Sequence, residues 1–423
     1  MKKIIYTLTV LATLCGFASC GNDDDFTDSI FDTTLQAVNE NATTAPFDKW
    51  LYETFVVPYN TQIDYKLVFP ATQMDYQVTP SDYKKSQLLA HFIKHLFYDV
   101  YNKYGEKDKN GNDVFMKKYG PRLFHFIGSP MFAPTTGTET LGYASGGVKI
   151  TLVNVNDMRP WEPGVTYTPE DMVLLNKNQF HVMHHEFSHI MHQTKTYPVN
   201  FGQVTPGTYE PRGWQERDST LTHMLGYLTH YGSSANTEDF VEFLSCIITD
   251  TQERWMSTLI DACLNGGVQE GDKELLYALC DSLDLDIDKP GATWNNFSIY
   301  KESALNEDTK KYEETGRYVT GYHRDDAIGN SEVSLKFAHE ADFTSFRSYV
   351  NSWVPVETSG DTRGLNAILK KIEIATKWYT ENWGINIYDL RREVTYRQDH
   401  INEYLNGTGE YAADGAVEIY DYK

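Results

Sequence analysis

The chain is 423 residues long, which is enough for one large domain or two ordinary ones with a sizeable core. Aromatic residues make up 14% of it, a content that suits both a packed globular body and a ligand cleft. The formal net charge is -22, so the chain has no excess of Lys and Arg with which to neutralise phosphates. This composition argues against a nucleic-acid partner.

The N-terminus has the pattern of an exported lipoprotein. Two lysines precede an apolar stretch over residues 4–17, which is shorter than a membrane-spanning helix. The next segment, Phe17-Ala18-Ser19-Cys20-Gly21, resembles a bacterial lipobox, in which small residues admit a signal peptidase and the cysteine receives the lipid. We therefore predict a signal peptide over residues 1–19 and lipidation at Cys20. The alternative is an ordinary cleaved signal with an incidental cysteine.

Residues 20–45 are predicted to form the lipidated cysteine and a flexible acidic tether, because the stretch is polar and rich in turn-forming residues. No later segment is apolar enough to cross a membrane. Beyond Cys20, three thiols remain, and an odd number cannot all pair. We expect buried free thiols, and the alternative is one disulfide between Cys263 and Cys280.

The first part of the folded body is predicted to contain a helix followed by strands. The helix is expected to open at Thr79-Pro80, because apolar residues recur at helical spacing up to Val100. Leu123 to Ile127 and Val148 to Val155 are β-branched or aromatic runs between turn-forming residues, so both are predicted to be strands. The glycine-rich stretch Gly142 to Gly147 suits a hairpin or a rim loop.

The next helix carries the residues with the clearest chemical signal. Thr168 is a good N-cap, Pro169 suits the first helical position, and Glu170-Asp171 favours the positive end of the helix dipole. This helix is predicted to continue to about Gln193, and a second one to run from about Thr237 to Ile248.

The C-terminal part begins with a region of weak pattern. Gly, Asp and Asn clusters with short apolar runs extend over about 264–362 and predict no long element. Leu365 to Arg397 is predicted to be helical again, with a break near Trp383-Gly384.

The segment His185-Glu186-Phe187-Ser188-His189 matches the H-E-x-x-H pattern of zinc hydrolases. Residues four apart lie on one face of a helix, so both imidazoles can reach a single zinc ion. Glu186 would then lie beside the open position of the metal, where it can take a proton from water and later return one to the leaving group. The alternative is that these histidines simply line a helix.

Neighbouring histidines compete for the ligand role. His181 is four residues before His185, but that pair would put Val182 in the position of the general base. His184 and His192 are expected to be flanking polar residues on the helix surface or at the rim.

A catalytic zinc ion needs a third protein ligand and an open fourth position. The best candidate lies on the second helix, where Glu238 and Glu242 are four apart and share a face. If Glu238 binds zinc, Glu242 is placed to hold a ligand histidine by its far nitrogen. The alternatives are that Glu242 or Asp239 is the ligand, or that the two glutamates are solvated surface groups.

The segment from Tyr231 to Glu242 resembles the second motif of gluzincins of the anthrax lethal factor type. In that family a tyrosine precedes the glutamate ligand by seven residues, as Tyr231 precedes Glu238. The resemblance implies that Glu238 is the third ligand. It also implies that Tyr231 stabilises the oxyanion of the tetrahedral intermediate, where charge develops.

The wider chain resembles the substrate-import-associated zinc metallohydrolase lipoproteins of Bacteroidetes. The resemblance rests on the lipobox, the two zinc motifs and the stretches Pro58-Tyr59-Asn60, Ile127-Gly128-Ser129-Pro130, Thr140-Leu141-Gly142, Gly146-Gly147-Val148-Lys149-Ile150 and Asn386-Ile387-Tyr388-Asp389-Leu390-Arg391. It implies a lipid anchor in the outer membrane, at the cell surface or, alternatively, on the periplasmic face. It also implies a TonB-dependent transporter and its binding lipoprotein as partners.

Relative to that family, residues 263–363 look like an insertion of unknown role. The predicted domains are therefore a catalytic core over 46–262, the insertion, and a C-terminal helical segment with its tail over 364–423. The expected fold is α+β, a zincin-like metallopeptidase domain with a small mixed sheet, an active-site helix and a largely helical C-terminal half.

The expected function is a zinc metallopeptidase acting on a peptide or protein substrate. One alternative is a non-catalytic substrate-binding lipoprotein of an import system with a vestigial or structural zinc site. Another is a zinc hydrolase that acts on amide-linked glycan or cell-wall material.

Overall fold

The computed structural model describes residues 42–67, 76–132, 137, 139–140, 142–145, 148–288, 299–320, 335–340, 345–353, 363–414 and 420. The chain divides into two compact units, Met1–Asp48 and Lys49–Lys423. Of the first unit only residues 42–48 are described, so the predicted signal peptide and Cys20 lie outside the described residues. The division of the second unit into core, insertion and C-terminal segment stays a prediction.

The helices in chain order are α1 (Ala45–Leu51), α2 (Val57–Tyr59), α3 (Tyr83–Ile93), α4 (Asp99–Tyr104), α5 (Phe115–Tyr119), α6 (Pro169–Leu175), α7 (His181–Thr194), α8 (Ser219–Met224), α9 (Asn236–Thr249), α10 (Gln252–Cys263), α11 (Glu270–Ser282), α12 (Phe346–Ser352), α13 (Gly364–Trp383), α14 (Ile387–Asp399) and α15 (Ile401–Asn406). The strands are β1 (Gln62–Asp64), β2 (Leu123–Phe126), β3 (Met131–Phe132), β4 (Glu139–Thr140), β5 (Gly142–Ser145), β6 (Lys149–Leu152), β7 (Ile299–Asn306), β8 (Lys311–Thr320) and β9 (Leu335–Glu340). Within the described residues, no helix is both long and apolar enough to cross a membrane.

A small mixed sheet supports the site, with strand order β1-β2-β6-β5. The first three strands are parallel to one another, and β5 runs antiparallel to β6. The predicted strand from Val148 ends at Leu152 rather than Val155, because Asn154 adopts a left-handed conformation at φ 59° and a 3-10 turn follows. The mixed α+β architecture predicted from the sequence is confirmed.

Helix α3 begins later than the sequence predicted. Pro80 pairs in extended conformation with Ile127, and the helix starts only at Tyr83. The Asp82 carboxylate caps it by accepting a hydrogen bond of 3.0 Å from the Lys85 amide. The proline therefore precedes the helix, and the acidic cap two residues later sets its start.

The helix that carries the H-E-x-x-H segment forms as predicted. Thr168 and Asp171 make a reciprocal capping box at its start, and Pro169 occupies the first turn. Helix α6 continues through a π-helical turn, Asn176–Phe180, into α7. Because such turns rotate the following residues relative to the preceding face, this one adjusts the direction in which the α7 histidines point.

Helix α7 lies between the sheet and a helical layer. It packs against β5 and β6 on one side and against α9 on the other, and α9 in turn packs against α13 and α14. Behind α7, the rings of Phe97, Tyr101, Phe115 and Phe187 contact one another with centroid separations of 4.9 to 6.4 Å. This aromatic core holds the helix in place from the side opposite α9.

The region of weak sequence pattern contains regular structure that the sequence did not predict. Helix α11 starts at a capping box between Gln269 and Asp272, and β8-β7-β9 form an antiparallel three-stranded sheet. The predicted break between the last long helices is confirmed, because Gly384 ends α13 at a positive φ of 67°. The three thiols Cys246, Cys263 and Cys280 are free and buried, as expected.

Candidate metal centre

Three side chains from two helices meet at one point. Helix α7 contributes His185 and His189, one turn apart, and α9 contributes Glu238 from its first turn. The Glu238 Oε2 atom lies 3.2 Å from His185 Nε2 and 3.3 Å from His189 Nε2. The ligand atoms of these three residues all lie within 4.8 Å of one another. Two imidazole nitrogens and one carboxylate oxygen are a donor set that catalytic zinc accepts, so the residues fit that ion.

The far nitrogens of both histidines are held by partners. His185 Nδ1 lies 2.6 Å from Glu242 Oε1, and His189 Nδ1 lies 3.0 Å from His192 Nε2. With Nδ1 engaged in this way, Nε2 of each ring is the atom that faces Glu238. The Glu242 carboxylate thus lies at the far nitrogen of His185, and the contact between His192 and His189 is one that the sequence did not lead us to expect. Its signal was present in the sequence, since His192 follows His189 by three residues on one helix face.

The electrostatics of the cluster favour a positive charge at its centre. Burial alone would lower the pKa of His185, but hydrogen bonds to Glu238 and Glu242 outweigh it and raise the pKa to about 10. Burial opposes ionisation of Glu238 as well, yet the hydrogen bonds from the two histidines hold its pKa well below the usual value. A divalent cation between His185, His189 and Glu238 would supply this positive charge instead of a proton.

Glu186 and Tyr231 lie beside these three side chains. The Glu186 side chain is buried, and its charge contributes to the raised pKa values of both His185 and Tyr231. The Tyr231 ring centroid is 5.7 Å from that of His185, and the charge of Glu238 is one of the causes that raise the pKa of the Tyr231 hydroxyl. Burial is the main reason that the pKa of Tyr231 is raised, which keeps this hydroxyl protonated as a donor. Tyr231 is still 38% exposed, so the group faces the open side of the cluster.

The remaining sequence candidates point elsewhere. Asp239 is fully buried and pairs with Lys371 at 2.7 Å, so it is turned away from the histidines. His184 is fully buried rather than at the surface or rim, and its Nδ1 lies 3.0 Å from the Tyr101 hydroxyl. The expectation for His184 was wrong because its ring packs against Phe97 and Tyr101 in the aromatic core.

A second group of metal-ligand types lies next to the first. His181, Glu242 and Cys246 also bring one potential ligand atom each within 4.8 Å of one another. The Glu242 oxygens, however, already accept hydrogen bonds from His181, His185 and Thr229. Burial raises the pKa of the Cys246 thiol well above its usual value, so the thiol stays protonated and is a poor ligand. We therefore describe this group as a hydrogen-bond network behind the metal centre.

Known proteins that resemble the chain are described as zinc-binding. A family model described as "Putative zinc-binding metallo-peptidase" matches residues 40–388. The chain is similar in fold to a "putative zinc-binding metallo-peptidase" of Bacteroides caccae, with a TM-score of 0.52 and 22% sequence identity over 90% of this chain and 97% of that one. No curated protein matches the chain. Because the family match covers well over half of its length, the chain belongs to this family of zinc-binding metallo-peptidases.

Proposed function

We propose that the protein is a metallopeptidase of the H-E-x-x-H, gluzincin type, with His185, His189 and Glu238 as its zinc ligands. The proposal rests on one observation: Glu238 Oε2 lies 3.2 Å from His185 Nε2 and 3.3 Å from His189 Nε2. Glu186, next to His185 in the chain, places a carboxylate beside this point.

Each side chain has a defined task in peptide-bond hydrolysis. When bound, zinc acts as a Lewis acid and makes water acidic enough to be a nucleophile near neutral pH. The Glu186 carboxylate accepts the proton of the attacking water and passes it to the nitrogen of the leaving amine. The Tyr231 hydroxyl donates a hydrogen bond to the carbonyl oxygen of the substrate as negative charge develops there.

The residues around the ligands support catalysis rather than a structural role for the metal. A structural zinc site is closed by four protein ligands and has no use for a general base. Within the described residues three possible ligands come together, with the buried Glu186 carboxylate and the partly exposed Tyr231 phenol beside them. This arrangement favours the enzyme over the non-catalytic binding lipoprotein.

The decisive experiment uses the chain from residue 21 onward, purified with its metal. Zinc content is measured together with cleavage of a mixed peptide library by mass spectrometry, for the wild type and Glu186→Gln. The variant is expected to keep its zinc and to lose at least about a hundredfold in activity. The exposed Glu216→Gln is the matched control and should keep full activity.

Two outcomes would contradict the proposal. Equal cleavage by Glu186→Gln and the wild type would remove Glu186 from the mechanism. A wild-type protein with full zinc that cleaves no peptide would favour the binding lipoprotein or a hydrolase of other amide-linked material.

We further propose that the protein is an outer-membrane lipoprotein that works beside a TonB-dependent transporter and its binding lipoprotein. The support is the lipobox-like segment Phe17-Ala18-Ser19-Cys20-Gly21 and the sequence resemblance given above. Metabolic labelling of cells with a palmitate analogue tests the anchor. The label should appear on the wild-type chain and be lost from Cys20→Ala, and labelling of both would contradict the assignment of Cys20.

A further inference from the structure

The Glu242 carboxylate binds more than the ligand histidine. Its Oε1 lies 2.6 Å from His185 Nδ1 and 3.0 Å from His181 Nε2, and its Oε2 accepts a hydrogen bond of 2.6 Å from the Thr229 hydroxyl. Glu242 is 4% exposed and Thr229 8%. Hydrogen bonds to an ionised, buried carboxylate are strong, so this group joins α7, α9 and the segment before α9 into one unit.

The Thr229 hydroxyl oxygen also accepts a hydrogen bond from the backbone next to Tyr231. Its Oγ1 accepts a hydrogen bond of 3.0 Å from the amide of Gly232, three residues later. A hydroxyl has one proton to donate, and here Glu242 takes it, so the amide of Gly232 meets a free lone pair. Tyr231 lies inside the turn that this bond closes, immediately before the 3-10 turn Gly232–Ser234.

We propose that Thr229 is a positioning residue that holds Tyr231 in register with the metal ligands. The inference rests on the proposed function, in which the Tyr231 hydroxyl serves the substrate oxygen. The Glu242 carboxylate fixes the ring of His185 through Oε1. Through Oε2 it binds the Thr229 hydroxyl, which in turn holds the backbone around Tyr231. The Tyr231 ring is further supported by Trp214, whose ring centroid lies 5.0 Å away in an edge contact. Thr229 therefore holds the backbone around Tyr231, and Trp214 packs against the Tyr231 ring.

The test compares Thr229→Val, which has the same shape without the hydroxyl, with Thr229→Ser, which keeps it. A displacement of a catalytic group by about 1 Å can cost about a hundredfold in rate, so Thr229→Val is expected to lose about tenfold to a hundredfold in kcat. Thr229→Ser should stay within about threefold of the wild type, because its hydroxyl can make both hydrogen bonds. Zinc content should be equal in all three proteins, since His181 and His185 still hold Glu242.

A double-mutant cycle separates positioning from general damage. In a Tyr231→Phe background the hydroxyl that Thr229 positions is absent, so adding Thr229→Val should change kcat by less than about twofold. The control Thr222→Val removes a buried hydroxyl that is bonded to the Asp218 carbonyl and should leave kcat unchanged. Equal losses from Thr229→Val in both backgrounds, or full kcat in Thr229→Val, would overturn the proposal.

A readout that needs no activity keeps this inference separate from the proposed function. In the full zinc-loaded chain labelled with 3-fluorotyrosine, the ¹⁹F signal of Tyr231 is assigned as the one missing from Tyr231→Phe. The signal should move in Thr229→Val and return in Thr229→Ser, whether or not peptides are cleaved. An unmoved signal in Thr229→Val would refute the positioning role, whereas a moved signal in a zinc-loaded but inactive wild-type series would refute only the proposed peptidase.

Discussion

The buried ion pair next to Glu238, the proposed third metal ligand, leads to a quantitative prediction about stability. Lys371 Nζ on α13 lies 2.7 Å from Asp239 Oδ2 on α9, and both side chains are fully buried. Lys371 also donates a hydrogen bond of 3.0 Å to the carbonyl of Gly226, and the Tyr209 hydroxyl donates one of 2.8 Å to Asp239. Because Asp239 follows Glu238 in the chain, this pair ties the ligand helix to the C-terminal layer.

Replacing Lys371 with Met keeps most of the volume and removes the charge, which leaves the Asp239 carboxylate buried without its cation. Burial raises the pKa of Asp239 to about 6 even though Lys371 opposes the rise, so the carboxylate is costly to keep ionised there. Removing one member of a buried pair costs about 3–5 kcal/mol in the free energy of unfolding. Lys371→Met with Asp239→Asn should recover more than about 1 kcal/mol of this loss, because no unpaired charge remains.

The assay is urea unfolding followed by tryptophan fluorescence, on protein kept in one metal state. The control is Lys377→Met on the same helix, because Lys377 forms an exposed pair with Glu381 at 3.9 Å. That variant should lose less than about 0.5 kcal/mol. If Lys371→Met is as stable as Lys377→Met, or if the double variant is no more stable than Lys371→Met, the reasoning about buried charge is wrong.

Metal removal, acid pH and glycine substitution have predicted effects as well. EDTA is expected to lower the Tm of the wild type but not that of His189→Ala, because zinc at roughly 1,000 times its Kd adds about 4 kcal/mol to stability; equal shifts would contradict the ligand assignment. Burial lowers the pKa of His91 from 6.5 to about 3. As the pH falls below 6.5, His91 is therefore protonated in the unfolded chain but stays neutral in the native chain. Metal-free protein should thus lose about 1.4 kcal/mol per pH unit from this group, and an acid-side slope unchanged by His91→Phe would refute the argument. Gly226 has a φ of +87° and a Cβ there would lie 2.4 Å from Ala367 Cβ, so Gly226→Ala should destabilise by about 1–3 kcal/mol. A Cβ on Gly271 in α11 meets nothing within 4 Å, so Gly271→Ala should gain up to about 1 kcal/mol, and equal thermal stability of the two variants would contradict this contrast.

The elements that the sequence predicted well are those whose signals are local. Thr168 and Asp171 cap the same turn that they begin, and Gly384 ends α13 with its own backbone conformation. The start of α3 was misplaced because Pro80 forms an extended bridge with Ile127, a distant partner that no local pattern reveals. The sheet β8-β7-β9 was missed for a related reason. Antiparallel pairing among residues 299–320 and 335–340 depends on the register between segments rather than on the pattern within one segment.

Local and tertiary signals also contribute separately to the candidate metal centre. The sequence by itself determined that His185 and His189 share a helix face, because four residues make about one turn. It favoured Glu238 as the acidic residue of α9 that joins them, with Glu242 or Asp239 as alternatives. Only the packing of α9 between α7 and α13 decided this, and it turned Glu238 towards the two Nε2 atoms and Asp239 towards Lys371. Successive residues on a helix differ in direction by about 100°, so the rotation of α9 about its axis, a tertiary property, assigns each carboxylate its partner.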